Sequence, residues 1–291
     1  MSLPAADAVV GVTGISPDRV WLVGSRSSRT LVMHWNGTSW SRVASPNVAG
    51  QANFLSAISA SSARNAWAVG DSCPTDSEGC VPLTLPWNGT AWSTVASPAI
   101  GGASLHSVQT LSAGDAWAVG HDCVTGCYTP LVLHWNGTSW SQVSLPTSTA
   151  GGLSAVTASS ASRGFAVGDG MGTSKTWIFR WNGTRWSTAP HPNPGAGDFL
   201  SGVTMTSRNN AWAVGFSCTA NGCIHTRTLI LRWNGKAWSR VSSRNSGNGS
   251  ELADVTATSS RNAWAVGYDC TITVKCSPII LHWNGAAWAK D

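Results

Sequence analysis

The sequence predicts an all-β fold, a six-bladed β-propeller with four antiparallel strands in each blade. The first observation is a repeat: Trp-Asn-Gly recurs at Trp35, Trp87, Trp135, Trp181, Trp233 and Trp283, at intervals of 52, 48, 46, 52 and 50 residues. The second is a motif upstream of each, Trp-Leu-Val-Gly or Trp-Ala-Val-Gly, starting at Trp21, Trp67, Trp117, Trp212 and Trp264, with Phe165 in the tryptophan place of the fourth repeat. The third is the tryptophan count: three per repeat account for all 18, Trp177 making up for Phe165. A tryptophan can bury about 200 Å², so these side chains are expected to fill the space between neighbouring sheets.

Each repeat reads as four short strands, A to D. Strand A is apolar at alternate positions, as in Leu55-Ser56-Ala57-Ile58 and Leu153-Ser154-Ala155-Val156. That is the period of a strand with small residues on its other face. A polar turn such as Ser62-Ala63-Arg64-Asn65 leads into strand B, Ala66-Trp67-Ala68-Val69-Gly70. Strand C, for example Leu131-Val132-Leu133-His134-Trp135, runs into Asn-Gly. Asn-Gly tolerates positive φ at both central positions, so a tight hairpin is expected there. Strand D, Trp140-Ser141-Gln142-Val143, follows within a few residues and ends in a Ser-Pro or similar crossover.

A single sheet of this kind cannot bury both faces, so neighbours must stack and the ring must close. The expected blades span approximately 8–47, 53–98, 104–146, 152–190, 199–243 and 251–291, within one domain covering 1–291. The chain ends fall between blades. No strand exchange between the termini is therefore expected, and closure would rest on the first blade packing against the sixth.

Composition narrows the partners. Charged residues make up 11% of the chain, and its net charge of +5 comes from scattered lysines and arginines. No basic stripe marks a nucleic-acid surface, so no nucleic-acid partner is expected. No apolar run approaches the roughly 18 residues of a membrane span. The N-terminus lacks the basic and apolar pattern of a signal peptide, and Met1, Ser2 and Leu3 read as residues standing in place of an export signal.

The eight cysteines form four local pairs: Cys73 with Cys80, Cys123 with Cys127, Cys218 with Cys223, and Cys270 with Cys276. Each pair lies between strands B and C of a different blade. Zinc would need four ligands converging at regular short spacing, whereas six, three, four and five residues intervene here. Disulfides that staple the loops are expected, and no metal site. Such bridges imply an oxidising compartment, hence a secreted or extracellular protein.

The recurring S-x-x-[DN]-A-W-A-V-G … L-H-W-N-G-T-x-W resembles the repeats of secreted bacterial β-propeller proteins. That set includes lectin-like, sugar-binding propellers and, more distantly, sialidase-like Asp-box propellers. The resemblance spans nearly the whole chain and implies architecture rather than activity. The Asp-box pattern S-x-D-x-G-x-x-W is met only in part, since Asn136 to Trp140 keep its Gly and Trp and lack its Ser and Asp. A sialidase would also need an arginine triad and a tyrosine nucleophile. Tyr128 and Tyr268 are the only two tyrosines, and neither has an evident glutamate partner in the sequence.

In a repeat protein, the residues that depart from the repeat are the informative ones. Strand A offers small polar residues at Ser56, Ser154 and Ser201, but His106 and Asp254 appear among the corresponding segments. Near a central channel they would form a ligand or proton-transfer pair, or simply hydrogen-bonded fillers. Directly after strand B the chain differs by blade: Ser25, Asp71, His121, Asp169, Phe216 and Tyr268, followed in two cases by Asp122 and Asp269. Carboxylates accept sugar hydroxyl protons and aromatic faces stack on a pyranose. These same residues also suit turns facing water. His34, His134 and His282 before Trp-Asn-Gly recur too regularly for a site and read as scaffold.

Two functional classes remain. One is a secreted non-catalytic binding module, carbohydrate-binding and lectin-like, using top-face loops or inter-blade grooves. The other is an extracellular enzyme, glycosidase- or lyase-like, with one site at the channel mouth and His106, Asp254 and His121 as acid–base groups. No nucleophile elbow, phosphate loop or zinc signature is present in the sequence. The expected partner is a glycan or other small polar ligand, with no cofactor. The sequence carries no sign of the oligomeric state.

Overall fold

The computed structural model describes residues 7–74, 79–123, 128–147, 149–172, 174–220, 223–243, 245, 249–271 and 275–291. Every regular element among them is a β-strand. The chain divides into two compact units, Met1–Leu145 and Pro146–Asp291.

The first unit holds three sheets, each made from contiguous chain. The first has strands Asp7–Ser16, Arg19–Arg26, Arg29–Trp35 and Trp40–Arg42 in order. The second has Gln51–Ser62, Asn65–Pro74 and Val81–Trp87, and a single Trp87–Trp92 bridge replaces its fourth strand. The third has Ser104–Ser112, Asp115–Asp122, Thr129–Trp135 and Trp140–Gln142. The second unit also holds three four-stranded sheets, the last two joined into one by a single parallel pairing of Thr226 with Gly249. Its strands are Gly151–Ser160, Arg163–Gly170, Lys175–Trp181 and Trp186–Thr188; then Gly197–Ser207, Asn210–Cys218, Thr226–Trp233 and Trp238–Arg240; then Gly249–Ser259, Asn262–Cys270, Cys276–Trp283 and Trp288–Lys290. Within each set of four consecutive strands neighbours run antiparallel, and among the described residues no sheet borrows a strand from the opposite end of the chain.

Tryptophans join the sheets within each unit. The strand-B ring of one sheet meets the strand-C and strand-D rings of the next: Trp21 lies 5.0 Å from Trp87 and 5.4 Å from Trp92, and Trp67 lies 4.9 Å from both Trp135 and Trp140. In the second unit Phe165 meets Trp233 and Trp238 at 5.3 and 5.0 Å, and Trp212 meets Trp283 and Trp288 at 5.0 and 5.1 Å. Valines and leucines of strands A to C complete these inter-sheet cores.

The Asn-Gly turn differs from the expected tight hairpin. The two tryptophans of Trp-Asn-Gly-Thr-x-Trp pair directly, as in Trp135 with Trp140, so the loop has four residues. Only its glycine takes positive φ, 97° at Gly137. Asn136 acts through its side chain, whose Oδ1 accepts the Thr138 and Ser139 N–H groups at 3.0 Å each. An Asx-type side chain that mimics a backbone turn stabilises this geometry without positive φ at Asn.

A β-bulge recurs in every strand A. The register slips between Val9 and Gly11, Leu55 and Ala57, Leu105 and Ser107, Leu153 and Ala155, Leu200 and Gly202, and Leu252 and Asp254. The slip explains the glycine of Trp-Ala-Val-Gly, which lies inside strand B because that strand runs on through the residue expected to follow it, to Pro74 in the second sheet. A Cβ at Gly70 would stand 2.1 Å from the Phe54 carbonyl oxygen, an impossible approach.

Candidate functional site

The bulge decides where the candidate residues lie. The extra residue it leaves unpaired is Ser56 in the second sheet, His106 in the third and Ala253 in the sixth. A bulge re-aims the side chain it carries, and His106 is exposed there. Asp254 occupies the next position, the one held by Ser107 in the third sheet, so the two residues are not equivalent as the sequence suggested.

The first unit brings three of the candidates, Asp71, His106 and His121, together on one rim, beside Tyr128 and Phe54, which the sequence did not single out for a site. Asp71, directly after Trp-Ala-Val-Gly, pairs across the ladder with Phe54, which is exposed. His121 holds the same place in the third sheet and pairs with Ser104. The Ser104 hydroxyl bonds the Asp71 carboxylate across the two sheets. The His121 ring lies 4.8 Å from that of His106 and 4.5 Å from that of Tyr128. Tyr128 holds its ring there with φ of +59°, in the left-handed region that a bulky residue adopts only when its surroundings impose it.

Electrostatics set these groups apart from ordinary surface residues. Burial raises the Asp71 carboxyl above its usual value, against the lowering pull of the Ser104 hydrogen bond and the His106 charge. Burial lowers the His121 imidazole, aided by His106 and opposed by Asp122. A half-buried carboxyl beside two imidazoles and two aromatic rings can accept and donate hydrogen bonds to hydroxyls, or exchange a proton.

The second unit places its candidates separately along its own rim positions. Burial raises Asp169, which faces Gly152. Phe216 stacks on Phe199, with ring centroids 4.7 Å apart and planes 21° from parallel. Tyr268 donates its hydroxyl to Glu251 Oε2 at 2.5 Å, and this bond pushes the phenol up to about 12. The pairing corrects the sequence reading, which found no glutamate partner for either tyrosine: Glu251 sits directly across the A–B ladder. Asp254 is an exposed residue whose carboxylate packs close to the neighbouring strand A at Gly202. The carboxylate would touch a Cβ added at Gly202, and burial raises it against the lowering pull of the Val255 N–H, which it accepts at 2.8 Å.

Asp122 and Asp269 stand apart from the rim. Each follows its rim residue by one position, so it points to the opposite face of the strand. Both are buried. Asp269 accepts the Ser250 hydroxyl at 2.9 Å, as Asp198 accepts that of Ser217 in the fifth sheet. These contacts lie inside the sheet stack.

Cys73–Cys80, Cys218–Cys223 and Cys270–Cys276 are disulfide-bonded. The expected fourth pair involves Cys127, which lies outside the described residues. Among the described residues, the one His/Cys/Asp/Glu grouping with converging ligand atoms is Asp71 with Cys73 and Cys80. Its sulfurs are joined to each other and offer no thiolate.

No protein-family model matches the chain, and no curated protein does. Solved structures do. A structure described as YCF48 bound to D1 peptide has a TM-score of 0.63 at 17% identity, covering 100% of this chain and 83% of the other. YCF48 from Cyanidioschyzon merolae has a TM-score of 0.62 at 17% identity, covering 100% and 87%. SapL1 lectin in complex with alpha methyl fucoside has a TM-score of 0.54 at 15% identity, covering 99% and 95%. At these identities the similarity concerns the fold: this chain has the all-β architecture of the β-propellers.

Proposed function

We propose that this chain is a non-catalytic, carbohydrate-binding module, with its six sheets as the blades of one propeller. The observation that carries the reading is the first-unit rim, where Asp71, His106, His121, Tyr128 and the exposed Phe54 stand together. Sugars are bound by few directional polar groups beside an aromatic face, and this rim offers both. The lectin with a fucoside among the similar structures supports the sugar reading, and the peptide-bound YCF48 supports binding as the use of such a surface. Three disulfides fit an oxidising compartment, so we place the protein outside the cell.

A glycan array followed by titration calorimetry tests this. Neutral sugars are expected to bind, with affinity falling about tenfold in His121→Ala and in Tyr128→Ala, the loss of roughly one good contact. Failure to retain any glycan, or an affinity unchanged from the parent chain in both variants, would sink the proposal.

One observation favours an enzyme as the second reading. Burial moves Asp71 towards its protonated form and His121 towards its neutral form, the displacement that an acid–base pair needs. Glycan turnover that disappears in Asp71→Asn would establish that reading in place of the first.

A further inference from the structure

A cleft of about 360 Å³ opens in the second unit, remote in sequence from the histidine cluster. Its lining includes Pro194, Gly195, Ala196, Ser217, Arg227 and Arg240. Arg227 pairs with Ser217 across the B–C ladder, and Arg240 pairs with Leu231 across the C–D ladder. Positions 227 and 231 share a face of strand C. That face packs on the fourth sheet, since Leu229 and Leu231 share a core with Phe165, Val167 and Ile178. The cleft lies beside this core and is lined by strands B to D of the fifth sheet and by the Pro194–Ala196 segment that leads into it.

Its wall is held in place before any ligand arrives. The Gly195 N–H donates to the Asp198 carboxylate at 3.0 and 3.2 Å, and the Ala196 N–H donates to the Cys218 carbonyl at 3.0 Å. The Ser217 hydroxyl also donates to Asp198, which is fully buried. This carboxylate is therefore spent on the wall and does not reach the opening. Among the described residues, neither Arg227 nor Arg240 has an ion-pair partner. The neighbouring sheets of this unit carry Lys175 and Thr188, or Ser277 and Lys290, at these two places, while the first sheet of the other unit carries Arg29 and Arg42 there.

We infer that this cleft binds a small ligand through a carboxylate or sulfate group. Guanidinium groups match the paired oxygens of a carboxylate or a tetrahedral oxyanion with paired N–H donors, and two of them line a cleft with room for one sugar-sized molecule. The site differs in chemistry from the first-unit rim, where a carboxylate and imidazoles would meet neutral hydroxyls.

Titration calorimetry on the full chain at low ionic strength uses glucuronate, inorganic sulfate and glucose as probes. The expected result is one equivalent of glucuronate or sulfate and no heat from glucose at this site. Arg227→Gln and Arg240→Gln should each weaken anion binding about tenfold, and the double variant should abolish it, with an unchanged thermal transition. Glucuronate without sulfate identifies a carboxylate site, and sulfate without glucuronate a sulfate site. Absence of binding by both anions, or an unaltered affinity in the double variant, overturns the inference. His121→Ala leaves this binding intact, so its outcome is independent of the rim site.

Discussion

Tyr268 shows how much one hydrogen bond can alter a side chain. Ionising the phenol would place a second negative charge beside Glu251, and so the proton is held to about pH 12. In a Tyr128→Phe background, ultraviolet titration should find the remaining tyrosine ionising near 12. Adding Glu251→Gln should return it towards 10.0; a transition near 10 with Glu251 intact would refute the pairing. His121 carries the opposite sign to Asp71. Its folded value is lowered, so its contribution to stability is full above the unfolded value of 6.5 and is lost as the pH falls below it. Asp71 is raised, so the folded chain keeps that proton to higher pH, and the ionised carboxyl costs stability as the pH rises from 3.8 through its folded value. Nuclear magnetic resonance titration should place the His121 midpoint below 6.5, moving upward in His106→Ala; a midpoint above 6.5 would contradict the burial described here.

Within a sheet the repeat motifs have separate tasks. The tryptophan of Trp-Asn-Gly donates its indole N–H to a carbonyl in the A–B turn, as Trp135 does to Ala113 at 3.0 Å and Trp233 to Arg208 at 3.0 Å. Three crossovers after strand D are pinned by an asparagine that accepts a strand-C threonine N–H: Asn47 from Thr30, Asn193 from Thr176 and Asn245 from Thr228, at 2.8, 3.0 and 2.7 Å. Strand B contributes the ring that enters the next sheet. Denaturant unfolding should therefore separate two substitutions. Trp67→Ala removes a buried ring from a packed cluster and should cost about 3–5 kcal/mol. Trp135→Phe keeps an aromatic ring while losing the indole N–H bond and part of the buried ring, costing about 1–2 kcal/mol. Equal losses would mean that the inter-sheet rings are not the main support.

Across each unit, stability comes from sheet stacking, to which the disulfides add local closure. Each of the three bridges closes a short loop and should contribute about 2 kcal/mol in the chain-entropy account. Reductant should therefore lower the thermal transition without abolishing the β-sheet signal; complete unfolding at ambient temperature would show that stacking alone is insufficient. Removing residues 249–291 would uncover Trp212, Val214 and Ile230, which are fully buried against the sixth sheet. Aggregation and binding of an apolar dye are expected of that truncated chain, and a soluble product without dye binding would count against this packing.

The sequence by itself determined the strands, their order and the pairing of aromatic motifs, because these depend on local periodicity and on residues that recur in every repeat. Trp67, Gly70 and Trp135 could be read this way, and so could Cys73 with Cys80. Tertiary structure decided which departures from the repeat meet. His106 reaches His121 because a one-residue bulge turns it outward, and Glu251 reaches Tyr268 because the ladder register sets them opposite each other. The alternation of faces buries Asp122 and Asp269 one position beyond the rim, and the B–C and C–D pairings of the fifth sheet bring Arg227 and Arg240 to one cleft. Register and stacking arise from contacts between segments distant in the chain, so a one-residue slip changes the side-chain environment while leaving the repeat itself almost unchanged.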